Sequence, residues 1–585
     1  MTLRALARRH GIATRYGDRP VPDETLRLLL GRLGVEGEDG PACHLPGWLR
    51  EAPAWGVFCQ LYELRAATGR PDWGIGDLAD LAALARVLGE AGADFLGINP
   101  VHALFLAQPG KRSPFFPSDR RFLNPIYIAP DALPGARHAG VTEPAPDGDL
   151  VDHDAVVRLK LPALRAIHDR GPFGEGPWSR TAHDAYVGRG GEPLRRHAVF
   201  EALSLRMAGE GHGAGWHGWP SAYRDVGSEA VRTFSGEVAT DGELRFHLWL
   251  QWAASVQLDL AAEAAREAGM RIGLYLDLAV GEAPDGAASW GSDVVMDGLT
   301  VGAPPDVFAS EGQDWGLAAP NPVALARDPT PFRDMIAAQM RHAGALRIDH
   351  AMALRQLFLI PEGEGPAAGS HVRYPMDTLI EVLSEESRAR EAVVIGEDLG
   401  FVPDGFRDAM EDYDVLSYRI LYFEQDGRSF RAPAAWPVKA LACVSTHDLP
   451  TLAGWWDAED VRLRREHDLV SEEDTPAHEA QRGRERKAML KLLRAERLAG
   501  RGWTAEGPLP EGMLVAVHRL LARTPCLLAG VRLSDLVGPA RPTNLPGTLD
   551  SYPNWRPRGA VPADRVADEP AFRAVAVAMA EERPR

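Results

Sequence analysis

Cysteine is scarce in this chain: Cys43, Cys59, Cys443 and Cys526 are the only four among 585 residues, and no two stand in CxxC spacing. That argues against a disulfide framework, and three of the four lie in apolar runs where a buried thiol is the expected state. Thiols of that kind suit a reducing cytoplasm, and a cytoplasmic protein is expected. Positive charge is in deficit as well, with 64 Lys and Arg against 82 Asp and Glu and a formal net charge of −18. A surface of that balance repels polyphosphate and anionic lipid, so no nucleic-acid or membrane partner is expected, whereas a neutral polyhydroxyl compound is indifferent to it. Long apolar runs are missing. The start, MTLRALARRHGIATRYG, carries charges every few residues and has no apolar h-region, and no later uncharged stretch reaches the length that spans a bilayer. Metal-ligand spacings are missing too: His102, His350 and His447 occur near carboxylates, but no HExxH or HxH does, and no metal or cofactor is expected.

What is present is a long alternation of short apolar runs and helix-like segments, in a chain larger than one ordinary hydrophobic core. VPDETLRLLLGRLG places Leu26, Leu29, Leu30 and Leu33 at helical spacing, with Pro22 and Asp23 suited to a first turn. Residues 1–50 therefore read as a short helical appendage. Beyond it come eight candidate strands: VFCQLYEL (57–64), DFLGINPV (94–101), RIGLYLDLAV (271–280), ALRIDH (345–350), AVVIGEDL (392–399), VLSYRILYF (415–423), LACVSTHD (441–448) and PCLLAGVRL (525–533). Helix-like stretches such as LADLAALARVLGEAG separate them, which is the pattern of βα units around a parallel sheet. Eight strands predict an α/β fold, a (β/α)8 TIM barrel over residues 51–585, with insertions at about 102–270, 281–340 and 455–520. The first insertion contains amphipathic helix, FHLWLQWAASVQLDLAAEAAREAG, and reads as a subdomain, because a structureless loop that long is unusual in a compact domain.

Active sites of such barrels form where the strands end, so a polar residue closing an apolar run is a candidate. Four strands close on carboxylates: Asp277 in YLDLAVG, Asp349 in LRIDH, Glu397 in VIGEDLG and Asp448 in STHDLPT. A lone terminal carboxylate is more often a helix cap or a solvated loop residue. Four on one rim would share a pocket. Glycosidic-bond cleavage uses such a set: a retaining enzyme has a carboxylate nucleophile and a protonated carboxylic acid about 5–5.5 Å apart. Neighbouring strands lie about 4.8 Å apart, so Asp349 and Glu397, on the presumed fourth and fifth strands, are the natural pair. Arg347 shares a strand face with Asp349 and can favour its charged form, while crowding by the other carboxylates can keep a proton on Glu397. Asp448, preceded by His447, can bond sugar hydroxyls and favour a distorted ring. Aromatic rings match the apolar faces of sugars, and Trp315, Trp455 and Trp456 fall in segments read as loops near strand ends, although any one tryptophan is more often a core residue.

The segments VFCQLYELR, INPVHALF, SPFFPSDRRFLNPIYI, LYLDLAVGEAPDGAASW, VGAPPDVFASEGQDWGL, LRIDH, VIGEDLGFVP, STHDLPTLAGWW and NLPGTLDSYPNWR, in order along most of the chain, resemble the amylomaltases, the 4-α-glucanotransferases of the α-amylase superfamily. The resemblance implies a disproportionating enzyme. Such an enzyme cleaves an α-1,4-glucan, holds the glucosyl part as a covalent ester, and passes it to the 4-hydroxyl of glucose or a maltooligosaccharide. By motif match it implies Asp349 as nucleophile, Glu397 as acid/base and Asp448 as transition-state stabiliser, with Arg347, His447, Asp277 and Tyr62 in the sugar pocket. GAPPDVFASEGQDWG, which holds Trp315, matches a loop over the acceptor side. The chain departs from the family pattern at Phe115 (usually Tyr), Ala353 (usually Gly), Phe358 and Leu359 (usually a Trp pair), and Ala318 and Ala319 (where prolines are common). None of these touches the three carboxylates.

Two alternatives remain at this stage. An α-glucan hydrolase would use the same carboxylates and differ only in that water attacks the glucosyl ester. A catalytically silent glycan-binding protein would have little use for all three carboxylates together with Arg347.

Overall fold

The computed structural model describes residues 2–16, 19–35, 42–138, 148–305, 311–538 and 541–585. Eight short strands, β1 (Ala54–Cys59), β2 (Phe95–Ile98), β3 (Gly273–Leu278), β4 (Ala345–Ile348), β5 (Val393–Gly396), β6 (Leu416–Ile420), β7 (Ala440–Cys443) and β8 (Leu528–Arg532), are all parallel and close into a barrel in chain order. Closure is made by β8 against β1, with Leu528 opposite Ala54 and Arg532 opposite Phe58. Their near-continuous apolar sequences follow from burial on both faces, one toward the barrel interior and one toward the helices. Inside, Phe58 meets Tyr275 edge-on at 5.0 Å and Phe95 at 5.5 Å. Phe58 has that space because Gly97 and Gly530 flank it; a Cβ on either would come within 2.2 Å of the ring.

The first strand sits earlier than its expected span. β1 ends at Cys59, and Leu61–Glu63 form a tight turn in which the Glu63 carboxylate accepts the Gln60 N–H at 3.1 Å. Pairing with β8 and β2 stops at Cys59, so QLYEL, though apolar enough for a strand, has no partner along its length.

Between β2 and β3 the chain forms a hairpin, His102–Ala103 with Asp119–Leu123, and then helices that include His153–Arg170, Arg180–Gly209 and Val238–Glu267. The last contains the amphipathic stretch picked out above and packs on the helix that follows β1, Leu78–Glu90. Between β3 and β4, strands Val295–Ala303 and Gln313–Pro320 form an antiparallel pair. They are joined by Gln356–Pro361 and Ser370–Arg373 from beyond β4 into a four-stranded sheet beside the barrel mouth. Residues 306–310, in the loop matched to the acceptor side, lie outside the described residues.

In the appendage the helix Asp23–Arg32 forms as its spacing predicts, but only Leu26 and Leu30 are buried, against Leu3 and Ala7. Leu29 and Leu33 are 42% and 61% exposed, because the single short helix Leu3–Arg9 covers only one side of it. Among the described residues, no helix is long and apolar enough to cross a membrane.

Candidate active site

The parallel register places the carboxylates. Arg347 on β4 lies directly opposite Asp277 on β3, and Ile348 opposite Gly396 on β5. The next residues in that pair, Asp349 and Glu397, thus leave adjacent strands side by side. Main-chain bonds continue the ladder past the strand ends, from Glu397 N–H to the Ile348 carbonyl (2.9 Å) and from Asp349 N–H to the Leu278 carbonyl (3.0 Å).

Arg347 joins two of the acids. Its Nη1 donates to both oxygens of Asp277, at 2.7 and 2.9 Å, and its Nη2 pairs with Asp349 Oδ1 at 2.8 Å. The period of two along β4 puts Arg347 and Asp349 on one face, as the sequence predicts. Burial opposes the Arg347 charge, but Asp277 and Asp349 hold the guanidinium firmly protonated. Asp277 is itself pushed up to about 6, by burial first and against the pull of Arg347.

Glu397 is 8% exposed. Its Oε2 accepts the His350 N–H at 2.8 Å and its Oε1 the Leu399 N–H at 2.7 Å. Its carboxyl is nonetheless pushed up to about 7. The sequence reading attributed this to crowding by carboxylates; the larger cause is desolvation, with Asp349 adding to it while Arg347 and the two N–H groups oppose it. The backbone of His350 is left-handed there, with φ 45°, as the chain turns away from the end of β4. The neighbouring Asp398 turns the other way into the barrel wall, where it accepts the Tyr418 N–H (2.9 Å) and the hydroxyl of Ser417 (2.6 Å) and ties the end of β5 to β6.

Two strands round from Glu397, beyond the end of β7, Asp448 accepts Asn544 Nδ2 at 2.6 Å and pairs with His447 Nε2 at 3.2 Å. Partial burial works to raise its pKa, but the His447 charge and the bonds from His447 and Asn544 bring it below the usual carboxylate range. The His447 ring stacks on Phe115 (4.8 Å between centroids) and lies 5.5 Å from Trp555. Its carbonyl accepts the hydroxyl of Thr543 at 3.1 Å.

Trp315 stands on Gln313–Pro320, not in a loop, and its ring meets His350 edge-on at 5.2 Å. Trp455 and Trp456 lie in the helix Leu452–Trp456 and are core residues, with Trp455 stacked on Tyr422. Tyr62 is 1% exposed in the turn after β1, with Thr543 and Arg532 beside its hydroxyl. A cavity of about 50 Å³ occupies the mouth of the barrel, walled by Asp277, Arg347, Tyr418, His447, Glu63 and Arg532 among others. Asn544, Thr543 and Trp555 were not candidates from sequence. Their signal is weak, since they sit in TNLPGTLDSYPNWR (543–556), a loop that follows β8 and that no periodicity connects to Asp448.

A closed parallel barrel that brings Asp277, Asp349, Glu397 and Asp448 to its strand ends, with a buried arginine bonded to the first two, is an arrangement that glycosidic-bond chemistry can use. A family model described as 4-alpha-glucanotransferase matches residues 59–562. The 4-alpha-glucanotransferase of Mycobacterium bovis is 39% identical over 541 residues, covering 88% of this chain and 72% of that one. The amylomaltase of Corynebacterium glutamicum superposes with a TM-score of 0.80 at 31% identity, over 91% of this chain and 76% of that one. The amylomaltase of Streptococcus agalactiae, solved in complex with acarbose, shares the fold with a TM-score of 0.73 at 18% identity, over 91% of this chain and 99% of that one. The chain belongs to the 4-α-glucanotransferase family and is a transglycosylase of that kind.

Proposed function

We propose that the enzyme moves α-1,4-glucan segments by double displacement, with Asp349 as nucleophile, Glu397 as acid/base and Asp448 as transition-state stabiliser. The observation that carries this is the pairing in register of Asp349, bound to Arg347, with Glu397, a carboxyl that holds its proton near neutrality. In the first step Glu397 gives its proton to the glycosidic oxygen, the bond from that oxygen to the anomeric carbon breaks, and an Asp349 oxygen bonds to that carbon. In the second, the acceptor's 4-hydroxyl attacks the same carbon, Asp349 leaves, and the Glu397 carboxylate takes the hydroxyl proton. Two inversions retain the α configuration. Atoms and charge balance without a cofactor.

Asp448, with His447 and Asn544 behind it, bonds sugar hydroxyls and favours a flattened ring. Asp277 and Arg347 line the inner wall for the bound glucosyl unit, and Trp315 offers its face beside His350. The substrates are maltooligosaccharides and longer α-1,4-glucans, with glucose as an acceptor, and the acarbose bound by the S. agalactiae relative supports that class. Four free, buried cysteines fit work in a reducing cytoplasm.

Purified protein given maltotriose should release glucose and build a ladder of longer chains with little growth in total reducing ends, as read by chromatography and a reducing-end assay. Steady growth of reducing ends without a ladder would replace transfer by hydrolysis.

A further inference from the structure

The loop that carries His447 and Asp448 has no helix or strand of its own between Cys443, where β7 ends, and Leu452. It nevertheless presents both side chains to the barrel mouth. The side chain of Arg532, the last residue of β8, reaches over the loop from the neighbouring strand. Its Nη1 donates to the Thr446 carbonyl and to the Leu449 carbonyl, each at 2.7 Å. Those two carbonyls bracket His447 and Asp448, so one guanidinium nitrogen fixes the loop on both sides of the functional pair.

Arg532 is 8% exposed, and its surroundings hold unused polar capacity. Its Nη2 and Ser445 Oγ are buried atoms without a hydrogen-bond partner among the described residues, and the Glu63 carboxyl lies beside them with Ser534 near it. All four residues wall the same cavity of about 50 Å³. The second arm of Arg532 faces Glu63, in the turn after β1, at the edge of this cavity.

We propose that Arg532 is a positioning residue for catalysis: through two main-chain bonds it sets the loop that places Asp448 against the sugar. Arginine suits this because one end of its planar fork spans two carbonyls while its charge stays beside the Glu63 carboxyl. The inference rests on Asp448 acting in the transition state, as proposed above.

The test is a double-mutant cycle on the full-length enzyme with maltotriose. Arg532→Met removes the donors at similar length, and Asp448→Asn removes the group that they serve. A misplaced catalytic group costs up to about 100-fold, so R532M should lower kcat by about 10- to 100-fold with KM within about threefold of the parent. Arg532→Gln, which retains N–H donors, should recover part of that loss. In the D448N background R532M should cost less than about threefold, because the group that it positions is already gone. Equal losses in both backgrounds would make Arg532 a general structural residue, and an unchanged kcat in R532M would show that the loop is held otherwise; either overturns the proposal. If R532M does not fold, R532Q runs the same cycle by the same criterion. A fully active D448N single variant would instead overturn the assignment of Asp448 itself, a failure distinct from the other two.

Discussion

Asparagine at position 349 is expected to lower transfer from maltotriose by about 10⁴-fold or more while glucan binding stays within about tenfold. Asn is nearly isosteric with Asp, so its side-chain oxygen can still accept from Arg347 Nη2, and Arg347 keeps its two bonds to Asp277. The pocket therefore survives. What is lost is the negative oxygen that forms the glucosyl ester, and neither neighbour replaces it: Asp277 is engaged by Arg347, and Glu397 by two N–H groups. Initial rates of glucose release together with binding calorimetry separate the two effects. A variant that kept a tenth of parental turnover would remove Asp349 from the nucleophile role, and one that lost binding as well would mean that the change had damaged the pocket.

Glutamine at position 397 is expected to cost about 10²- to 10⁴-fold in kcat/KM for maltotriose, the usual contribution of a positioned general acid. The pH dependence carries more information than the loss. Glu397 is held at about 7 in the folded enzyme, so the protonated form required for the first step is fully present well below that pH and is titrated away as the pH rises through it. The alkaline limb of the parental kcat/KM profile should fall through the same range, and in E397Q that limb should disappear. An α-glucosyl donor with fluoride as leaving group needs little protonation and should restore much of the first-step rate in the variant. Identical alkaline limbs in parent and variant, or no recovery with fluoride, would take the acid role from Glu397.

Much of this architecture was legible because a barrel strand, buried on both faces, writes itself as a short apolar run, and because a functional group at its end interrupts that run with charge. ALRID and VVIGE are such cases: the register that aligns Asp349 with Glu397 follows from strands of equal length ending together. What was not legible came from outside the strands. QLYEL looked like strand because apolar content says nothing about whether a partner strand continues. Trp455 and Trp456 read as loop residues because a five-residue helix has too little sequence to show its period, while the core packing expected of any one tryptophan is what both have. Asn544 was hidden because its bond to Asp448 joins residues 96 apart, across a loop. The source of the Glu397 shift was missed for a related reason. Like charges can be counted in a sequence, but depth below the surface cannot.

The left-handed turn at His350 changes what substitution at that position would mean. Its side chain stands in a motif between Asp349 and Ala351, where a chemist looks for a ring that binds or transfers protons. Yet its contribution to Glu397 is a peptide N–H, from a residue whose backbone sits at φ 45°. Tolerance at this position should therefore follow backbone preference more than side-chain chemistry. Glycine and asparagine, which enter that region at little cost, should keep most of the activity, whereas valine, stiff at its Cβ, should lose far more despite being the closer match in bulk. A substitution series read by kcat would rank the variants by φ tolerance, and a ranking by loss of imidazole would restore the ring to the mechanism.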